Sequence, residues 1–159
     1  MSEQLSPGAG RVQEVLERLG VGSRVMEMSA TTRSAQDAAR AVGCEVGQIA
    51  KSLVFKGASS RKAILVVASG ANRVNEKELS RLLGEPVVKA DADFVRQATG
   101  FAIGGVPPVG HPQPLKVFID EDLFQYADIW AAAGTPQAVF KLTAQELQKI
   151  TGGLVICVK

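Results

Sequence analysis

The chain has 159 residues, of which 46% are hydrophobic, and this suits one soluble domain with a single sizeable core. Its net charge of +2 at pH 7 is too small to indicate a nucleic-acid partner by itself. No apolar run approaches the roughly 20 residues that cross a bilayer, and the N-terminus lacks the pattern of a secretory signal. We therefore expect a cytoplasmic protein with no membrane partner. Two distant cysteines exclude a disulfide framework, and Cys157, in an apolar run, is predicted to be buried.

Residues 1–10 are predicted to form a loose arm, and the remainder predicts a series of short helices. Apolar residues at helical spacing, capping residues and terminal glycines indicate where the helices begin and end. The predicted helical segments are 12–19, 34–43, 75–83 (burying Leu79, Leu82 and Leu83), 91–98, 121–125 and 143–152.

Eight further segments predict strands, and strands outnumber helices. The predicted strands are 25–28, 49–56, 63–68, 87–88, 116–119, 128–132, 138–142 and 154–158. Segment 63–68 is apolar on both faces, so we predict that it is a central strand. Several neighbouring elements have short connections. The pattern favours an α+β fold with a mixed, barrel-like sheet flanked by helices, rather than a doubly wound parallel sheet.

One charged residue has an unusual position in a predicted strand. Side chains alternate along a strand, so Lys51 shares a face with Leu53 and Phe55. If that face packs inward, the ammonium group lies in or near a pocket, where it could hold a phosphate or a developing negative charge. The alternative is a lysine at a strand end that reaches water, as we expect for Lys56.

The segment 99–114 is rich in glycine and proline and cannot be regular helix. The adjacent Gly104 and Gly105 let the main chain approach another group closely and point N–H groups at it. Val106, Pro107 and Pro108 then stiffen the chain in an extended conformation. This pattern predicts either a loop shaped to hold a ligand or a solvated turn.

Other chemistries find little support in the sequence. One histidine and two distant cysteines do not compose a zinc site, so we expect neither a metal nor a cofactor. His111 lies between Gly110 and Pro112 with no nucleophile elbow nearby, which favours a turn residue over a catalytic base. Arg61, Lys62 and Arg73 could touch nucleic-acid phosphates, although scattered surface cations usually indicate only solvation.

Three segments together resemble the YbaK/ProX family of aminoacyl-tRNA deacylases, which is related to the editing domain of bacterial prolyl-tRNA synthetases. They are IAKSLVF at 49–55, AILVV at 63–67 and GGVPP at 104–108, and Ala133-Gly134-Thr135 also fits the family pattern. The resemblance covers roughly residues 25–158. It implies a single editing domain over the whole chain, with a mixed, barrel-like sheet.

The resemblance also implies an activity, which is hydrolysis in trans of the ester in mischarged aminoacyl-tRNA, with tRNA for proline carrying a small non-cognate amino acid as the expected substrate. By this resemblance Lys51 positions the 3′ end of the tRNA, the main-chain N–H groups of Gly104 and Gly105 hold the aminoacyl carbonyl, and Val106 to Pro108 complete the substrate-binding loop. Prolyl-tRNA synthetase is an allowed partner, and DNA is not expected. The alternative is a non-catalytic module that binds a nucleotide or aminoacyl group in the same pocket. The amino acid removed stays open among alanine, cysteine, serine and threonine.

Overall fold

The computed structural model of the protein describes residues 5–159, and the first four residues of the predicted arm lie outside the described residues. Within the described part, the chain forms one sheet of eight strands flanked by five α-helices. The strands are β1 (Met26–Glu27), β2 (Ile49–Gly57), β3 (Ala63–Ser69), β4 (Val87–Lys89), β5 (Lys116–Asp120), β6 (Ile129–Ala132), β7 (Ala138–Leu142) and β8 (Leu154–Ile156). The helices are α1 (Pro7–Arg18), α2 (Ala35–Val42), α3 (Glu76–Leu83), α4 (Ala92–Thr99) and α5 (Ala144–Thr151), with 3-10 turns at Val46–Gln48 and Glu121–Gln125.

The sheet is mixed, as predicted, but it is open. Its strands follow the order β1-β7-β6-β2-β3-β5-β8, and β4 pairs with β2 beside this path. β2 is antiparallel to β3 and parallel to β6, and β3 is parallel to β5. The end strands β1 and β8 have only two and three residues, so they offer no matched long edges that could close a barrel. The expected barrel-like curl is therefore not a closed barrel.

Helix boundaries follow local capping chemistry, which is why the sequence predicts them well. The side chain of the residue before a helix accepts a hydrogen bond from a main-chain N–H of the first turn, and a left-handed glycine ends the helix. These caps are Ser34 for α2, Asn75 for α3, Asp91 for α4 and Thr143 for α5, and the terminal glycines are Gly43, Gly84, Gly100 and Gly152. No helix within residues 5–159 combines the length and apolar character that crossing a membrane requires.

The core lies on both faces of the sheet around β3, which confirms the predicted central strand. Leu65 and Val67 face a cluster that includes residues of α1 and α5, whereas Val66 faces a cluster with Leu79 of α3. Two predicted burials are wrong. Leu82 is 44% exposed, whereas Leu79, almost one turn earlier in the eight-residue helix α3, is buried. Cys157 is exposed, since it follows the end of β8.

The predicted loose arm is also wrong from residue 7 onward, where α1 begins. Pro7 stands in the first turn of the helix, a place where its fixed φ and missing N–H cost nothing. Ala9 is fully buried, so this turn is part of the core. A Cβ atom added at Gly8 would lie 2.7 Å from the Gly134 carbonyl oxygen, which shows how closely α1 approaches the 133–135 loop.

Two glycines of α1 offer a matched test of this contact. Gly8→Ala should lower the free energy of unfolding by about 1–3 kcal/mol, because the new methyl group overlaps a main-chain oxygen. Gly10→Ala, on the same helix with open space around it, should instead raise the free energy of unfolding by roughly 0.5–1 kcal/mol. Urea unfolding of both variants measures the difference. Equal effects would show that α1 does not pack as described.

Candidate active site

The sheet has a gap along one edge of β2. On one side β2 pairs with β3 over seven residues. On the other side it pairs with β6 only at Ile49 and Ala50, and with β4 only from Phe55 to Gly57. Residues 51–53 therefore have no strand beside them on that edge. An unpaired stretch of this kind leaves main-chain donors and acceptors available to a ligand.

The chain after α4 lies beside the gap, and the two together form a cleft with two lobes. The first lobe has a volume of about 370 Å³ and the second about 290 Å³. The residues that line both lobes are Lys51, Ser52, Leu53, Ile103, Gly104 and Val106. Three residues singled out from the sequence, Lys51, Gly104 and Val106, thus line one cleft although they come from distant parts of the chain.

The two lobes differ in their remaining walls. In the first, mostly apolar side chains from β2, α4 and the residues next to them are joined by Arg73, Glu76 and Lys89. In the second, Arg33 and the residues at the start of α2 face small residues of β6 and the ring of Trp130. Both lobes therefore combine an apolar floor with cationic groups at their walls, which suits a ligand with apolar and anionic parts.

Lys51 occupies the position that strand alternation predicts, on the face of β2 that carries Leu53 and Phe55. It is half-buried, and its Nζ donates a hydrogen bond to the Asn72 carbonyl oxygen at 2.7 Å. Burial lowers the pKa of Lys51 from its ordinary value; the Asp120 carboxylate opposes this shift, and Arg73 adds to it.

Asn72 connects Lys51 with two carboxylates. Its Nδ2 donates to Asp120 Oδ2 at 2.9 Å and to Asp122 Oδ2 at 2.7 Å. Asp120 is only 1% exposed and also accepts hydrogen bonds from the main-chain N–H groups of Ser69 and Asp122. A buried carboxylate with several donors is a fixed anchor. The carbonyl of Asn72 is thereby held where the lysine ammonium reaches it.

The two glycines of the loop have different environments. Gly104 has a φ of +93°, which favours glycine, and a Cβ there would lie 2.8 Å from Arg33 Cγ. Gly105 is buried, and its N–H already donates to the Ala102 carbonyl at 3.0 Å. Among residues 5–159, no hydrogen bond uses the N–H groups of Gly104 or Val106. The main-chain donors that remain for a ligand are therefore those of Gly104 and Val106, and not that of Gly105.

Gly105 instead supports the loop from behind. A Cβ at this position would lie 2.8 Å from the Thr135 carbonyl carbon, so only glycine fits against that main chain. The Gly105 carbonyl accepts a hydrogen bond from the Gly134 N–H at 2.9 Å. Ala133, Gly134 and Thr135, noted in the sequence, thus form the support of the glycine loop.

The prolines and the histidine also lie behind the cleft. Pro107 and Pro108 are buried and are not among the residues that line either lobe. The Pro107 carbonyl lies 2.8 Å from His111 Nε2, and His111 lines a separate groove on the far side. His111 is therefore a turn residue that holds the loop, as the sequence favoured. Its burial lowers its pKa from the ordinary value, and the hydrogen bond to Pro107 partly opposes this shift.

The sequence model described as "Aminoacyl-tRNA editing domain" matches residues 29–150, most of the chain. The chain belongs to this family. A solved structure described as "a putative trans-editing enzyme for prolyl tRNA synthetase" is 52% identical, with a TM-score of 0.93 and coverage of 98% of this chain and 99% of that one.

Two curated relatives are more distant. The Enterococcus faecalis protein named "Putative Cys-tRNA(Pro)/Cys-tRNA(Cys) deacylase EbsC" is 28% identical over 127 residues, covering 74% of this chain and 77% of the relative. The proline–tRNA ligase of Brachyspira hyodysenteriae is 32% identical over 79 residues, which are 49% of this chain and 14% of the ligase.

Sequence reasoning missed several residues that line the cleft of this editing domain. Ser52, Glu76, Lys89 and Ile103 were not singled out, and Arg73 was set aside as a surface cation. For Ser52 the sequence pattern was misleading, because adjacent side chains in a strand face opposite sides and Lys51 was the residue expected at the pocket. For the others no signal existed, since they come together only through contacts between distant segments. Within residues 5–159, no cluster of three or more histidine, cysteine or acidic side chains could hold a metal ion.

The single histidine makes the stability of the fold pH-dependent in a narrow range. Because the folded state lowers the pKa of His111, the unfolded chain binds the proton more readily, and stability should fall as pH drops below about 6.5. Urea unfolding at pH 7.5 and pH 5.8 should show this loss for the wild type, and a smaller one for His111→Gln. A wild type that becomes more stable at pH 5.8, or a variant with the full dependence, would contradict the half-buried position of His111 beside the Pro107 carbonyl.

Proposed function

We propose that this chain is a trans-editing hydrolase that deacylates mischarged aminoacyl-tRNA. The observation that carries this function is the cleft itself, where half-buried Lys51 lines the same space as Gly104 and Val106, two residues whose N–H groups have no partner among the described residues. Hydrolysis of an ester on a nucleic-acid 3′ end needs an anchor for an anionic backbone and donors for the developing oxyanion. The cleft supplies both kinds of group.

In this reaction a water molecule adds to the ester carbonyl carbon and gives up a proton, and the carbonyl oxygen becomes an oxyanion. The carbonyl then reforms as the bond to the terminal ribose oxygen breaks, that oxygen takes up the proton and leaves as a hydroxyl, and the amino acid is released. Preorganised main-chain donors stabilise such an oxyanion, and losing one typically costs about 2.7–4 kcal/mol in the transition state. We assign this role to Gly104 and Val106, whereas Gly105 keeps the loop against the 133–135 support.

The other groups of the site have distinct proposed roles. Lys51 holds the phosphate or sugar of the terminal nucleotide through its ammonium group. The Val106 side chain contacts the substrate, while Pro107 and Pro108 hold the loop in its bound shape before the substrate arrives. No histidine or cysteine of the described residues lines the lobes. We therefore assign the placing of the attacking water to main-chain groups and to the ribose hydroxyl beside the ester.

The proposed substrate is tRNA for proline carrying a small non-cognate amino acid. The names of the relatives support this choice, since one is a prolyl-tRNA synthetase and two others are described as acting beside it or on its tRNA. Prolyl-tRNA synthetase is then the enzyme whose errors this chain removes, and a cytoplasmic location follows from that role.

A panel of mischarged tRNAs tests this function. Release of labelled alanine, cysteine, serine or threonine from tRNA for proline should exceed the uncatalysed rate at least a hundredfold for one of them. Correctly charged prolyl-tRNA should be hydrolysed far more slowly. Tight binding without release would favour a non-catalytic binding module instead. Equal activity on simple amino-acid esters would indicate a small-molecule esterase.

Replacement of Lys51 tests its proposed anchoring role. Lys51→Ala should lower kcat/KM for the preferred aminoacyl-tRNA by more than tenfold, a loss above about 1.4 kcal/mol, because the anchor for the 3′ end is gone. Its melting temperature should change little. Lys56→Ala, a matched change on the same strand at a residue outside both lobes, should alter kcat/KM less than threefold. Similar losses of kcat/KM in both variants would show that Lys51 contributes only to the overall positive charge of the protein and does not anchor the 3′ end.

A further inference from the structure

Ser52 carries a buried hydroxyl group that has no hydrogen-bond partner among the described residues. Leaving a buried polar group without a partner is costly, and native structures rarely do so. Ser52 also lines both lobes of the cleft, beside Lys51. A missing partner at this place is therefore most simply supplied by a ligand.

The main chain of Ser52 points toward the same space. The Val54 carbonyl accepts a hydrogen bond from the Ala90 N–H across the open edge of β2, at 3.3 Å. Main-chain groups two residues apart in a strand point to the same side, so the N–H and carbonyl of Ser52 face this edge too. The pairing with β6 ends at Ala50 and the pairing with β4 starts at Phe55, so neither strand reaches Ser52.

Ser52 places acceptors next to the donors of the cleft. The donors in the shared lining include the Lys51 ammonium, and the N–H groups of Gly104 and Val106 have no partner among the described residues. An aminoacyl ester carries a positively charged α-ammonium group two bonds from its carbonyl carbon. The protein groups that accept hydrogen bonds from this ammonium must therefore lie next to the donors that hold the carbonyl. Glu76 contributes negative charge to the first lobe only, whereas Ser52 adjoins both lobes.

We propose that Ser52 binds the α-ammonium group of the aminoacyl moiety through its main-chain carbonyl and its hydroxyl oxygen. This proposal rests on the proposed function, because that function identifies the ligand as an aminoacyl group. Hydrogen bonds to a charged group are about twice as strong as neutral ones, so even one of them contributes visibly to affinity. The site then requires a free α-amino group and rejects an acylated one, because an amide has no charge and fewer donors.

The role has a second consequence for stability. A serine that only supports the fold loses stability when its hydroxyl is removed, since its partners are left unsatisfied. Ser52 has no such partners, so Ser52→Ala should keep or raise the melting temperature. Ser80 is the matched control. Its hydroxyl donates to the Glu76 carbonyl at 2.8 Å and accepts from the Val87 N–H at 3.0 Å, and Ser80→Ala should lower the melting temperature by roughly 2–4 °C.

Binding of two stable probes tests the proposal without any need for catalysis. The probes are 3′-deoxy-3′-(L-alanylamino)adenosine, which has a free α-amino group, and its N-acetyl derivative. The wild type should bind the free-amine probe at least tenfold more tightly in calorimetry or NMR titration. Ser52→Ala should weaken binding of the free-amine probe roughly tenfold and change binding of the acetylated probe less than twofold. Ser80→Ala should leave the ratio of the two affinities unchanged.

Each outcome has a separate meaning. If Ser52→Ala keeps the wild-type affinity ratio, weakens both probes equally or loses stability as Ser80→Ala does, Ser52 does not bind the α-ammonium group. No binding of either probe by the wild type would also overturn the proposal. If the affinity ratio depends on Ser52 but charged tRNA is not hydrolysed, the hydrolase function fails while the binding role of Ser52 stands.

Discussion

The close approach of two main-chain segments organises this site. Gly105 lies against the main chain of Thr135 with no space for a Cβ atom, and its carbonyl accepts the Gly134 N–H. This contact holds the loop beside β2 at a fixed distance. The same loop carries the positive φ of Gly104, and Val106 of this loop lines both lobes of the cleft. Donors fixed in this way need little reorganisation when charge develops on a substrate.

β2 contributes to the cleft through main-chain groups that no neighbouring strand pairs, at residues 51–53. On one side β2 is paired with β3 from Ala50 to Lys56, while on its other side the partner changes from β6 to β4 with a break between them. A break in mid-sheet is normally a defect, because it leaves polar main-chain groups without partners. Here the break faces the glycine loop, so a rigid strand and a rigid loop enclose a space that is both apolar and rich in hydrogen-bonding groups.

The sequence predicted those features that depend on neighbours along the chain. Caps and terminal glycines defined the helices, and alternation placed Lys51 on the correct face of its strand. Features that depend on distant partners were not accessible. The sequence identified the glycine pair as a place of close main-chain approach. Only the fold shows that the Gly105 N–H donates to the Ala102 carbonyl, whereas the Gly104 N–H has no partner among the described residues. Likewise, the unpaired main chain of Ser52 could not be predicted, because it depends on where the pairing with β6 ends and the pairing with β4 begins.

The turn at Pro7 to Ala9 has a consequence for where the functional unit starts. The family match begins at residue 29, which would place α1 outside the editing domain. Yet Gly8 touches Gly134, Gly134 is bonded to Gly105, and Gly105 precedes the loop residue Val106. Two contacts between glycine residues, and the chain bond from Gly105 to Val106, thus connect the first helix with the cleft. A domain boundary drawn by sequence similarity alone would cut this linkage, whereas the packed unit that contains the cleft includes α1.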